Sequence, residues 1–496
     1  SNISHRKQPL IPTEFANQFA GNETVTLAAL SPPFCDNSVT QSTFRGVAGL
    51  TYQSPVPVAR QTKTNSSMRP LHRSLFASSL LGCLSAHAGT ETSSTTSEPS
   101  DASTATGLFL GKLSGEDPWD RAWSAFTLYK DENNPILQEF ALQGRYQAQW
   151  AGGESSTEDY EQAGKGEFIG SEVESRRARL GFKSKWFQNW KFEGQIDVDA
   201  DFEDDAGDST FYRDIYDLYL TYAPSDALNV SAGKTKVKFT REQEISSKEI
   251  LTIERSGLSN TLFPGELTGV WVNGKGIQEH WLYELGVYGN DRQREFSEFN
   301  DGAIILAKIG YDYASLAGLD TAVVSLQYLH NTDPGVQYAS STWSGSASPS
   351  FTNAIALTND ISQGRFGLVT DVVYGFGYEG NATQKGATVA INQSDVFGVS
   401  VIPSYYIAEG LQLVGRVQFA SSDGADGLKS PGRYDEASLL PSGGDAKGNT
   451  FVSTYLGLNY YIYGHKLKLM SGVEYTHLGG GDYDGTTFYA GTRFFF

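Results

Sequence analysis

The stretch Gly233–Glu242 reads GKTKVKFTRE. Lys234, Lys236 and Lys238 are spaced by two, and on a β-strand such residues share a face. Thr235, Val237 and Phe239 take the other. This spacing predicts a strand with three ammonium groups on one side and a largely apolar other side. A soluble sheet has little reason to build that. A transmembrane barrel does, because its outer face meets lipid and its inner face meets water.

The bulk composition is compatible with such a barrel. The chain has 496 residues, 53 of them Gly, with 12% aromatics and a formal charge of −19. Met is scarce, at Met68 and Met470 only. No run of about 18 apolar residues occurs, which excludes an ordinary transmembrane helix but not membrane strands. The acidic balance argues against a general nucleic-acid binder, so no nucleic-acid partner is expected.

The N-terminal third has a different character. From Met68 the chain reads MRPLHRSLFASSLLGCLSAHAGTETSS. Arg69 and Arg73 form a basic region, Ser74–Leu84 a short apolar one, and Ala86-His87-Ala88 a small-x-small cleavage site. Residues 68–88 therefore read as a secretory signal peptide cleaved after Ala88. Cleavage before Cys83, as in a lipoprotein, is the alternative. Residues 1–67 show no sustained period and are expected to be unstructured, an over-extended start. Residues 89–134 read as a linker, rich in Ser and Thr, ending in a short helix at Trp119–Tyr129 (WDRAWSAFTLY) under the barrel mouth. With cleavage after Ala88, both Cys35 and Cys83 leave the mature chain, as suits export.

Residues 135–496 break into sixteen period-two segments: 137–151, 173–187, 190–203, 212–223, 228–239, 266–274, 279–289, 302–314, 319–331, 351–360, 364–378, 396–408, 411–422, 450–464, 465–479 and 485–496. Links after even-numbered segments are tight, such as Gln188-Asn189 and Glu409-Gly410. Links after odd-numbered segments are mostly long, such as Gly152–Glu172, Thr240–Gly265 and Asp423–Asn449. Gly480–Asp484 is the clear exception. Short periplasmic turns alternating with long external loops are the pattern of outer-membrane barrels. An even count puts both termini on the short-turn side. The fold expected is all-β, a 16-stranded antiparallel transmembrane β-barrel.

The charged faces follow the same logic. Arg177, Arg179, Lys183 and Lys185 share one face of SRRARLGFKSKW (Ser175–Trp186), and Ala178, Leu180, Phe182 and Trp186 the other. A lipid-facing charge costs about 2–4 kcal/mol near the midplane, so the basic face is assigned to the lumen. Lys234, Lys236 and Lys238 are placed inside by the same argument. On the next segment Glu193, Asp197, Asp199 and Asp201 also fall inside, with Glu193 expected beside Lys185 and Asp199 beside Arg179. The acidic stretches Glu154–Glu161, Phe202–Asp208 and Asp482–Gly485 read as solvated loops. Divalent cations bridging them to lipopolysaccharide are the alternative, and Phe202–Asp208 (FEDDAGD) lacks the ligand spacing of a calcium loop.

RRARLGFKSKWFQNWKFEGQIDVD (Arg176–Asp199) and GKTKVKFTREQEISSKEILTIERSGLSNTLFPG (Gly233–Gly265) resemble the phosphate-selective porin O and P family, and the likeness runs from about Leu128 to Phe496. The terminal GTTFYAGTRFFF looks like the C-terminal signal of outer-membrane proteins. The resemblance implies a trimeric porin whose third external loop folds into the pore, with basic residues there selecting anions. That loop is Thr240–Gly265, and it offers Arg241, Lys248 and Arg255 among Glu242, Glu244, Glu249 and Glu254. Where the family has Pro before the Phe that ends the lysine strand, this chain has Lys238.

The function this implies is passive diffusion of small anions such as phosphate or polyphosphate through an outer-membrane pore. The expected anion-binding residues are Lys234, Lys236 and Lys238, assisted by Arg177, Arg179, Lys183, Lys185, Arg241, Lys248 and Arg255. Outer-membrane lipid and lipopolysaccharide are the expected surroundings. An unselective porin and a plugged structural or adhesive barrel are the alternatives, and single-channel conductance separates the last. A hydrolase requires an accessible nucleophile and base. No G-x-S-x-G context accompanies His330 or His477, and no Rossmann, P-loop or zinc spacing is present, so neither catalysis nor a cofactor is expected.

Overall fold

The computed structural model describes residues 117–156, 168–198, 211–291, 293–299, 302–334, 351–384, 387–425, 427–429, 447–480 and 483–496. The expected signal peptide, the segment before it and most of the expected linker lie outside the described residues, as do Asp199 and Asp201.

Sixteen antiparallel strands close into a barrel. They are β1 Leu137–Ser156, β2 Phe168–Trp186, β3 Trp190–Val198, β4 Tyr212–Ser225, β5 Leu228–Lys236, β6 Glu266–Ile277, β7 Trp281–Gly289, β8 Ala303–Asp312, β9 Thr321–Asn331, β10 Asn353–Gln363, β11 Phe366–Phe376, β12 Val396–Ala408, β13 Leu411–Ser422, β14 Thr450–Tyr463, β15 Leu467–Gly479 and β16 Tyr483–Phe495. Each pairs with its neighbour in sequence, and β1 pairs with β16 from Arg145↔Phe495 to Ser156↔Asp484, which closes the ring. The short strand Thr127–Lys130 also joins this sheet, extending the edge of β1 opposite residues Glu139–Ala141.

Alternation decides which side faces what. On β1, Gln143, Arg145, Gln147 and Gln149 are buried, while Tyr146 is 42% and Trp150 39% exposed. The same outward apolar belt includes Leu180, Val270, Leu285, Ile309, Leu326, Leu357, Val417 and Leu456. An apolar surface this continuous needs lipid against it. Aromatic pairs gather at the short-turn end, with Trp190 5.0 Å from Tyr222 and Trp281 4.9 Å from Tyr311. That is the interfacial girdle of a membrane barrel.

The first described residues meet the C-terminal strand at the seam. Helix α1 (Pro118–Ser124) begins at an Asp117 cap. The Trp123 indole N–H donates to the Phe495 carbonyl at 2.7 Å, and Phe126 stacks on the terminal Phe496 at 3.7 Å between ring centres.

The register of β2 and β3 differs from the expected one by two residues. Trp186 pairs with Trp190, so Lys183 faces Glu193 and Arg179 faces Asp197. Phe187 (φ 46°) and Gln188 (φ 67°) both take the left-handed turn geometry, which joins the strands with no slack.

The opening strand departs most from expectation. β5 ends at Lys236. Its alternation puts Lys234 with Leu228 and Val230, each 40% exposed, on the outward face. Ser231 and Thr235 face the lumen, hydrogen-bonded to Thr221 and Asp217. Val237 and Phe239 do not meet lipid. Both are 0% exposed, packed with Leu258, Leu262 and Leu267 where the third external loop folds back into the barrel. The reason is that the chain leaves the wall at Lys236, the last residue of β5, so the period-two rule fails from there and Lys236 lies within electrostatic reach of Arg145 and Arg255.

Gly233 lies just before this departure, at φ +137°, and a Cβ there would be 2.2 Å from the Leu218 carbonyl oxygen. Gly233→Ala is expected to destabilise the barrel by about 1–3 kcal/mol. A fall in the temperature at which the folded form unfolds on a semi-native gel would show it. An unchanged temperature would mean that the strand relaxes freely there.

Candidate functional site

The third external loop carries two short helices, α2 (Arg241–Glu244) and α3 (Gly257–Thr261). Its beginning is fixed by a buried carboxylate. Asp371 on β11 accepts the backbone N–H groups of Arg241 (2.8 Å) and Glu242 (3.0 Å). Arg241 reaches Asp360 at 2.6 Å and Glu244 at 3.2 Å, and Lys308 also binds Glu244. One side of the loop packs on an apolar lumen wall that includes Leu306, Leu329, Phe351 and Val373.

Near β1–β5, several cations stand outside ion pairs among the described residues. Arg179 pairs with Asp197, and its guanidinium lies 3.2 Å over the Tyr216 ring. Arg176 binds Glu254 at 2.6 Å. Arg177 donates to Gln147 Oε1 at 2.9 Å, and Arg145 donates to Ser247 and, at 3.5 Å, to Gln195. Arg255 is tied to the carbonyls of Glu242 and Ile245. Lys236 lies within electrostatic reach of Arg255, Lys238, Glu266 and Arg145, and its Nζ is buried without a hydrogen-bond partner among the described residues. Lys248 sits 5.1 Å over the Phe495 ring. Arg145, Arg177, Arg255, Lys236 and Lys248 have no carboxylate within ion-pair distance among the described residues.

The expected residues are therefore distributed rather than aligned. Arg177, Arg179, Lys236, Lys248 and Arg255 come together. Lys238 is exposed beyond the end of β5. Arg241 is neutralised by Asp360 and Glu244. Lys183 pairs with Glu139 at 3.2 Å, and Lys185 stands opposite Glu139 and Lys191 near the short turn. Lys234 is committed elsewhere. Its Nζ donates to the carbonyls of Gln293 (2.8 Å) and Arg294 (2.9 Å), in the loop after β7. The three lysines do not form one row.

Two members were not singled out from sequence. Arg145 was readable, because Gln143, Arg145, Gln147 and Gln149 alternate on one polar face. Arg176 was not. Gln147 pairs with Arg177 and Ala148 with Ser175, so Arg176 is the extra residue of a bulge. Such an insertion re-aims a side chain, and here it sends Arg176 to Glu254.

Residues 149–309 match the family model of phosphate-selective porin O and P, the family the sequence resembles. None of the curated proteins matches the sequence. Among solved structures, Salmonella typhi OmpF in complex with daunomycin is similar, at 14% identity over 75% of this chain and 100% of that one, with a TM-score of 0.47. Pseudomonas putida OprB at high pH gives 13% identity, 72% and 94% coverage and a TM-score of 0.46. A loop-deletion mutant of Vibrio cholerae OmpT, an outer membrane protein, gives 12%, 72% and 99%, and 0.44. The family match and the lipid-facing belt place this chain in the bacterial outer membrane as a porin channel.

Proposed function

We propose that the barrel passes small anions, phosphate or polyphosphate among them, along a basic lumen surface presented by Arg177, Arg255 and Lys248, with the buried Arg145 and Lys236 adding positive charge behind it. The observation that carries this reading is the absence of carboxylate partners for these five among the described residues. Neighbouring acids are already engaged, Glu254 by Arg176 and Gln149, Asp197 by Arg179, and Glu193 by Gln143 and Tyr219. An anion that sheds part of its hydration regains it from several weak basic contacts, which also let it leave. Screening over about 8 Å at physiological salt keeps the acidic loops from cancelling this local field. The resemblance to the family supports a homotrimer.

Adding phosphate to a chloride-conducting channel tests the solute. A saturable fall in chloride current supports phosphate binding in the lumen. Chloride current indifferent to phosphate would favour the unselective porin.

Lys248 adds a pH dependence. Burial, and then the nearby Arg145, push its ammonium down to about 8. Below that pH the charge is present, and above it the charge is lost. Anion preference is expected to fall as pH rises from about 7 to 9, and Lys248→Met should remove that step. A Lys248→Met channel with the same pH profile would contradict the assignment.

A further inference from the structure

We infer that the lumen cations divide into two groups, and that Arg416, Lys468 and Arg493, together with Asn459, are positioning residues that hold the third external loop by its carbonyl oxygens. The inference rests on the porin reading, because the loop matters only if the lumen conducts.

Loop residues 250–256 form neither helix nor strand. Their carbonyls have no ladder partner, and a buried carbonyl left unpaired is costly. Four adjacent strands supply the missing donors. Lys468 Nζ on β15 donates to Ile250 O at 2.7 Å. Asn459 Nδ2 on β14 donates to Leu251 O at 2.8 Å. Arg493 Nη2 on β16 donates to Ile253 O at 2.9 Å. Arg416 Nη1 on β13 donates to Glu254 O at 2.7 Å and to Thr252 Oγ1 at 3.3 Å.

These side chains are 0–2% exposed, so an ion in transit does not touch them. Arg416 also pairs with Glu474 and Glu242, while Lys468 and Arg493 donate to backbone carbonyls and Arg493 donates also to the Gln149 amide oxygen. Cations facing carbonyl dipoles fix a backbone. They do not advertise charge to the pore. Selectivity then belongs to the β1–β5 side, and the steadiness of the bore belongs to β13–β16.

The test compares single-channel records of the full protein in planar bilayers with the Lys468→Met, Lys468→Arg and Asn459→Leu variants. Losing one such hydrogen bond should raise the population of loop-displaced sub-conductance states roughly tenfold. Lys468→Met and Asn459→Leu should therefore be noisy with an unchanged anion-to-cation permeability ratio, and Lys468→Arg should be quiet. Asn459→Leu is uncharged on both sides, so it keeps the test open where Lys468→Met fails to fold. Quiet currents from the two apolar variants would overturn the inference, as would a shifted permeability ratio with quiet current. A silent wild-type channel would instead overturn the porin reading. A wild type without anion preference whose variants are noisy would leave the clamp standing and remove the selective lumen.

Discussion

Replacing Arg177 and Arg255 together with Glu is expected to reverse the ion preference of the channel. Both guanidinium groups lack carboxylate partners among the described residues, so their charge is available to an ion in the lumen. Each reversal changes the local charge by two units. In water one unit at about 8 Å contributes about 0.5 kcal/mol, so the pair changes the balance by about 2 kcal/mol before screening. That is a roughly thirtyfold loss for an anion and a like gain for a cation, and screening over about 8 Å at physiological salt brings the change in their permeability ratio down to about tenfold. Lys234→Glu is the control. Its ammonium is held by the Gln293 and Arg294 carbonyls, so it should alter the ratio far less. A Lys234 variant that matched the double Arg variant would restore the lysine row that the alternation of β5 argues against.

Removing Glu474 is expected to give the largest loss of stability. Its carboxylate binds Arg416 at 2.7 Å and Gln418 at 3.2 Å and accepts the Ser453 hydroxyl. Arg416 is 2% exposed, and its next carboxylate, Glu242, is 3.6 Å away. Glu474→Leu strands a buried guanidinium, a change that costs about 3–5 kcal/mol. Semi-native gels should show folded barrel lost at a clearly lower temperature. Exchanging both partners, Arg416→Met with Glu474→Leu, should recover part of the loss, because the guanidinium is then gone while Glu242 loses its ion pair and keeps the Ser256 N–H and hydroxyl. The double variant still lacks the donor from the wall to Glu254 O, which keeps the Thr252 hydroxyl of its own loop, so its current should stay noisy. A single Glu474→Leu variant as heat-resistant as wild type would show that water or Glu242 replaces the lost partner.

Much of this architecture was legible because period-two alternation and link length report directly on a two-faced wall. The sixteen strands fall within a few residues of the positions read from the sequence, except where strands run on into the long loops, as β1 and β2 do. The site was less legible, for local reasons. One bulge brings Arg176 inward beside Arg177, and nothing in RRARL marks which residue is the extra one. The GKTKVKF stretch continues its alternation past Lys236, where the backbone has already left the wall. The pattern thus placed Val237 and Phe239 toward lipid and Lys234 toward water, the opposite of what the fold does. The positioning residues were the hardest to see. Arg493 was readable as lumen-facing, but its partner is the carbonyl of Ile253, 240 residues away. No side-chain pattern encodes a carbonyl.

The most direct test of the account is the zero-current potential of the purified wild-type channel in a planar bilayer across a tenfold potassium chloride gradient. The account predicts a potential with the sign of chloride preference, one that shrinks as the mean salt concentration rises. A potential of the opposite sign would contradict it.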